Sequence, residues 1–223
     1  MEKPLKGLKV IDLSTVIAVP KAARILAEWG ADVIKVEPPS GEPMRTMGKT
    51  WGVLPYTEDY NPAFQTENMH KRSIVMDLKK EDGKAAFLKL IEKADIFMTN
   101  VRMGSLQKLG LGYEELTRIN QGLIYAYFTG YGDKGPEKDK PGFDTTAFWS
   151  KSGAMIEWVF EGGRPFRPLG GFGDGACASM LLSGILLALY KRKLTGEGEI
   201  ITTSLYANAL WLNSGGVLMG QPR

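Results

Sequence analysis

The residues best suited to chemistry lie in the run GGFGDG, residues 170–175. Glycines on both sides of Asp174 strip away side chains, so a bulky substrate can reach its carboxylate. The run leads into a long apolar helix, and backbone N–H groups at a helix start can hold a carboxylate or a developing oxyanion. Asp174 therefore has two readings. It can attack an activated acyl group and form a mixed anhydride. It can also be a plain helix N-cap, a position where Asp is a leading residue, and on residue type alone the cap reading leads. Cys177, one turn further on, is the rival nucleophile. It has no His or Lys beside it in sequence and reads as a buried structural thiol. His70 sits in a loop beside Lys71 and Arg72, without a partner that would make it catalytic.

The segment KVIDLSTVIAVPKAARIL, residues 9–26, reads as strand, loop and helix, and Glu37 closes the next strand. That pattern invites a dinucleotide site with Glu37 on the ribose. The loop 14–20 has no glycine, however, and a pyrophosphate needs glycines for the tight turn and close approach. A backbone-lined slot for adenine or pantetheine at Val16, Ile17 and Ala18 stays open, beside the plainer reading of an apolar loop over the sheet edge. Basic residues recur after successive strands: Lys71 with Arg72, Arg102, Lys108, and Lys138 with Lys140. Singly they read as surface charges; together they suit a small ligand carrying several phosphates.

Composition narrows the classes. The 223 residues carry 28 Lys+Arg and 25 Asp+Glu, a net charge of +3, too little for a nucleic-acid footprint. A hydrophobic share of 43% and a charged share of 24% fit a folded globular chain. One cysteine and one histidine exclude an internal disulfide, a multi-cysteine zinc site and a His-pair metal site, so no metal is expected. The lone cysteine and an N-terminus without an apolar core point to the cytoplasm. The longest apolar stretch, 178–190, is broken by Ser183 and Gly184 and is short of a bilayer span, so it reads as a buried helix and no membrane is expected.

The elements that must position these residues alternate. Strands are expected over 9–13, 32–37, 73–78, 95–100, 123–129 and 199–205. Helices are expected over 21–29, 81–94, 113–119, 143–151, 176–193 and 206–212, and 40–70 reads as a long excursion. This pattern predicts an α/β fold with a mostly parallel, Rossmann-like sheet, helices on both faces and no dinucleotide glycine fingerprint. Ligands in such sheets bind at the carboxyl ends of the strands. A large domain is expected over 1–205, with 206–223 starting a helical linker toward a second domain, which makes the chain the front part of a longer polypeptide.

The segments LKVIDLS, AEWGADVIKVEPPSGEPMR, NMHKRSIVMDLKKEDGK, KADIFMTNVRMGSLQKLGLGYEEL, TGYGDKGPEKDKPGFD, LGGFGDG and ALYKRKLTGEGE, in this order and spacing, resemble the type III CoA-transferases. That family includes formyl-CoA and carnitine CoA-transferases. The 129–149 region looks most like the branch acting on anaerobic 2-hydroxyacids and aryl acids such as cinnamate and phenyllactate. The resemblance implies transfer of CoA from an acyl-CoA to a free carboxylic acid, with Asp174 as the nucleophile that forms an acyl anhydride and then an enzyme-bound CoA thioester. It moves the preference for Asp174 from cap to nucleophile. It implies CoA contacts at Val16, Ile17, Ala18, Asn68 to Lys71, Asn100, Val101, Arg102 and Lys108, and a second carboxylate at Asp144. CoA and acyl-CoA enter as substrates, with no tightly bound cofactor, and the family forms interlocked homodimers.

Three departures accompany the match, one being that members of the family are considerably longer. Ile17 stands where formyl-CoA transferase has a glutamine that touches the acyl group, which favours a larger, more apolar acyl group. Pro38 replaces a basic CoA-contacting residue. Phe148, Trp149, Trp158 and Phe166 could wall an aromatic acyl pocket or belong to the core. Two other functions remain: a 2-methylacyl-CoA racemase, which needs an acid/base pair that the lone His70 does not supply, and a non-catalytic CoA-binding subunit.

Overall fold

The computed structural model describes residues 2–50, 52, 57, 60–166 and 168–219. Six short strands among them make one wholly parallel sheet: β1 Lys9–Leu13, β2 Asp32–Glu37, β3 Arg72–Val75, β4 Ile96–Thr99, β5 Ile124–Thr129 and β6 Ile200–Ser204. Their order is β3-β2-β1-β4-β5-β6. This is the doubly wound arrangement, whose direction reverses between β1 and β4, and there the connecting loops part to leave a crevice.

Side chains on a strand alternate between faces, and the central strands are apolar on both. Val10, Ile96, Met98, Ile124, Ala126 and Phe128 face one core. That side is covered by α1 (Ala18–Glu28), α8 (Phe172–Thr195), α9 (Leu205–Leu212) and a π-helical turn at Asp144–Ser150. Ile11, Phe97, Tyr125 and Tyr127 face the other, under α4 (Glu81–Ile91), α5 (Met103–Leu109) and α6 (Tyr113–Ile119). Phe97 meets the rings of Tyr125 and Phe87 edge-on at 5.0 and 5.9 Å, geometries that add to the area they bury.

The excursion expected at 40–70 contains two short helices, α2 (Met44–Thr50) and α3 (Pro62–Asn68). The start of α3 is locally encoded: Asn61 accepts a hydrogen bond from the Phe64 N–H at 3.0 Å, and Pro62 opens the first turn. The helix expected at 143–151 is the π-helical turn, and α7 (Ala154–Glu157) follows it. Helix α8 begins at Phe172, four residues before the expected start, and runs 24 residues. It is long and apolar enough to cross a membrane by length and composition. Its Cys177, Ala178, Leu181, Leu182, Ile185 and Ala188 nevertheless lie in the core against α1 and the sheet. In the segment expected to start a linker, α9 is followed by α10 (Ser214–Met219), and 220–223 lie outside the described residues.

Candidate active site

The loop between β1 and α1 is the first wall of the site. Val16 takes a left-handed backbone with φ of 69°, costly for a β-branched residue, by about 1–3 kcal/mol. Side-chain clamps hold it. The Asn100 amide accepts from the Thr15 N–H at 3.0 Å and donates to the Thr15 carbonyl at 2.8 Å. The Val16 N–H donates to Glu42 Oε2 at 3.1 Å. Burial pushes the Glu42 carboxyl up, against the opposing Lys35 charge and the Val16 and Met44 N–H groups.

Beneath the loop lies a buried charge network that sequence reading did not foresee. Lys71 Nζ donates to Asp12 Oδ2, the Pro20 carbonyl and Asn68 Oδ1, each at 2.8 Å, which occupies all three ammonium protons. Lys35 donates to the Ser14 carbonyl at 2.9 Å, and the Ser14 hydroxyl donates to Asp12. Burial raises the Asp12 carboxyl, but the Lys71 and Lys35 charges outweigh it and hold it below its ordinary value. Burial likewise lowers Lys71 despite Asp12 beside it. Lys71 and Asn68, expected as CoA contacts, are therefore committed to holding the loop and the start of α1 from below. Only the alternation of strand residues hinted at this: a charged Asp12 and Lys35 inside apolar runs had to face a partner.

The second wall is built by two aspartates. Gly171, with φ of 85°, is the N-cap of α8, and Asp174 lies three residues later in its first turn. Asp174 is thus not the cap. Asp144, from outside the helix, accepts the Gly171 N–H through Oδ2 at 2.6 Å. The left-handed backbone favours glycine at 171, and space favours it at 173. A Cβ at Gly171 would come within 2.7 Å of Ile17 Cδ1, and a Cβ at Gly173 would collide with the Asp144 carboxylate and the Phe148 ring. The close approach sets Ile17 and Asp144 beside the helix start.

Both carboxyls are buried, Asp174 at 8% and Asp144 at 6% exposure. Burial, and then the charge of Asp144, push Asp174 up to about 7, with Lys21 opposing. Burial also raises Asp144, against the backbone N–H groups of Gly171, Gly173 and Asp174. Two adjacent carboxylates that cannot both ionise freely are a recurrent catalytic arrangement. Cys177 is excluded as a nucleophile: it is wholly buried, and burial pushes its thiol up to about 12.

Between the walls, at the carboxyl ends of β1, β4, β5 and β6, is a cleft of about 270 Å³. Of the residues expected from sequence, it brings together Val16, Ile17, Ala18, Asn100, Arg102, Asp144 and Asp174, with Lys138 and Lys140 on the same lining. Lys108 is exposed near the end of α5 and does not line it. Val101 lines a neighbouring apolar pocket of about 230 Å³ with Leu13, Val36, Pro38, Met76 and Leu78. His70 is exposed, with φ of 66°, away from the cleft. Glu37 is engaged by Arg45 at 2.6 and 2.7 Å, so it does not serve a ribose. Phe148 and Trp149 are core residues, with Trp158 and Phe166 edge-on to Trp149; the aromatic residues on the cleft are Tyr127, Phe128 and Phe143. No cluster of His, Cys, Asp or Glu suited to a metal ion occurs among the described residues.

The family model described as CoA-transferase family III matches residues 5–220. The chain belongs to this family. It is 42% identical over 207 residues to (R)-2-hydroxy-4-methylpentanoate CoA-transferase of Clostridioides difficile, covering 93% of this chain and 52% of the relative. It is also 42% identical over 205 residues to cinnamoyl-CoA:phenyllactate CoA-transferase of Clostridium sporogenes, covering 92% of this chain and 50% of the relative. Among solved structures it is similar to a CAIB/BAIF family protein from Brucella suis, with a TM-score of 0.89 and 32% identity, covering 100% of this chain and 60% of the other. The chain thus spans about half the length of the curated relatives it matches.

Proposed function

We propose that this chain carries the nucleophilic half-site of an enzyme that moves CoA from an acyl-CoA to a free carboxylic acid. The observation that carries the proposal is the placement of Asp174. It sits buried on a glycine-flanked helix start, faces Asp144, and shares one cleft with Arg102, Lys138 and Lys140. The cleft suits the thioester end of the donor, and the cations suit its phosphates.

In the proposed reaction an Asp174 oxygen attacks the thioester carbonyl, the C–S bond breaks, and CoA thiolate leaves with its electron pair. The product on the enzyme is an acyl–aspartyl anhydride. The thiolate attacks the aspartyl carbonyl, releases the donor acid as a carboxylate and forms an aspartyl thioester. The acceptor carboxylate attacks that thioester and expels thiolate, which then attacks the acceptor's acyl carbon and restores the Asp174 carboxylate. No net proton is needed. Asp174 must be ionised to attack, and burial strips its carboxylate of water and so of the solvation that would blunt it.

Ile17 and Phe143 on the lining favour an apolar acyl group, and the two relatives named above act on branched 2-hydroxy and aryl acids by name. We take those acids as the substrate class, and a homodimer in the cytoplasm as the working assembly. The test is to incubate the protein with a panel of acyl-CoAs, quench with hydroxylamine, and map modified peptides by mass spectrometry. A hydroxamate on Asp174, absent from Asp174→Ala, is the expected result. An intact Asp174 peptide with every donor, in this chain and in a chain of the relatives' length, would reject the reading.

A further inference from the structure

Lys21 and Glu67 are two charged groups that the reaction above does not use. Lys21 stands in the first turns of α1, which packs against α8. Its Nζ lies 3.7 Å from the position a Cβ would take on Gly175, the residue after Asp174. Behind it, in the last turn of α3, Glu67 Oε1 lies 3.4 Å from Lys21 Nζ. Glu67 is 5% exposed, and its second oxygen, Oε2, has no hydrogen-bond partner among the described residues. A carboxylate so buried is costly unless a cation is held against it. Lys21 is that cation, half-buried between Glu67 on one side and the glycine-lined start of α8 on the other.

The charges around this point come from every neighbouring element. Asp174 is faced by Asp144 from the π-helical turn, by Lys21 from α1 and by Glu67 from α3. Glu67 is faced by Lys21, Lys71 and Arg24. Lys71 is already spent on Asp12, and Arg24 on Glu28 at 2.6 Å. Arg102, Lys138 and Lys140 line the cleft with Asp174 but exert no charge effect on it comparable to that of Lys21.

We propose that Lys21 is a positioning residue for Asp174: its ammonium, held by the buried Glu67 carboxyl, is the counter-charge that favours the ionised form of Asp174 against Asp144. This rests on the reading of Asp174 as nucleophile. Burial and two neighbouring carboxylates drive Asp174 toward its neutral form, which cannot attack a thioester. One cation beside the helix start opposes them, and Gly175 leaves it the room to approach.

The experiment titrates the Asp174 carboxyl directly, by carbon NMR of the protein labelled at aspartate and without substrate, with Asp174→Asn to assign the signal. Lys21→Met is expected to move the Asp174 midpoint up by about one pH unit, the lower end of what an opposite charge does to a carboxylate. Lys21→Arg is expected to hold it near the native value. Lys21→Gln, which keeps a polar end on the half-exposed side chain, is the second variant should Lys21→Met fold poorly, and the same upward shift is expected. An unchanged midpoint in folded Lys21→Met or Lys21→Gln overturns the proposal. The hydroxylamine trap is run in parallel on the same proteins, and its acid limb is expected to follow the midpoint. A shifted midpoint with no adduct from the native chain or from a chain of the relatives' length keeps the counter-charge and rejects Asp174 as nucleophile. An adduct with an unshifted midpoint rejects the counter-charge alone.

Discussion

Removing the charge of Asp174 is expected to stabilise the protein at alkaline pH. In the unfolded chain this carboxyl titrates near 3.8, whereas in the fold burial and the Asp144 charge carry it to about 7. Between those values the folded state holds a proton that the unfolded chain has released. The stability linked to this group is complete below the unfolded value and is lost as pH rises through the folded one. A gap of about three units corresponds to about 4 kcal/mol, of which about 2.5 kcal/mol is lost between pH 5 and pH 8. Asp174→Asn keeps the shape of the neutral carboxyl and cannot ionise. Its stability relative to the native chain is therefore expected to rise by about 2.5 kcal/mol from pH 5 to pH 8, or about 5–10 °C in midpoint for a chain of this size. Urea unfolding of both proteins at both pH values measures this. Comparing the two proteins at each pH cancels the contributions of Glu42 and the other carboxyls that do not face Asp174. A stability difference that stays flat across the two pH values would refute the argument that Asp174 is a buried, charge-repelled carboxyl.

The Asp144→Asn variant keeps an acceptor for the Gly171 N–H but removes the facing charge, so the acid limb of adduct formation is expected to move down by about one pH unit in rapid-quench profiles. Replacing Lys71 by Met leaves Asp12 buried without its partner, and chemical unfolding is expected to show a loss of about 3–5 kcal/mol. Gly173→Ala pushes a methyl into Asp144 and Phe148 and is expected to cost about 1–3 kcal/mol together with most adduct formation, read by melting and peptide mapping. By calorimetry, Arg102→Ala is expected to weaken CoA binding several-fold with a reduced salt dependence, whereas Lys108→Ala, off the cleft, leaves it unchanged.

The alternating apolar pattern was enough to place the strands and the helices that cover them, because burial on both faces of a parallel sheet demands near-continuous apolar runs. Boundaries moved by at most four residues, the largest shift being the start of α8, and the strand expected at 73–78 ends at Val75. The short helices α2 and α3 were missed because seven residues hold too few turns for a 3.6-residue period to stand out. The Asn61-Pro62 start of α3 was a usable local signal.

For the site, residue type and glycine spacing marked Asp174 as a candidate, with the cap reading ahead, and the family resemblance made it the nucleophile and named the loop residues at the strand ends, since a carboxylate freed of neighbouring side chains is a local property of the chain. Its environment is not local. That Asp144, thirty residues earlier, accepts the Gly171 N–H depends on a π-helical turn packing against the helix start. That Lys71 is held by three partners depends on Asp12, fifty-nine positions away, lying beneath it. Charge, burial and proton affinity arise from groups brought together across the sheet. Sequence could name the ionisable residues, but only the tertiary structure decided which of them face one another, which are silenced by a partner, and which remain open to a substrate.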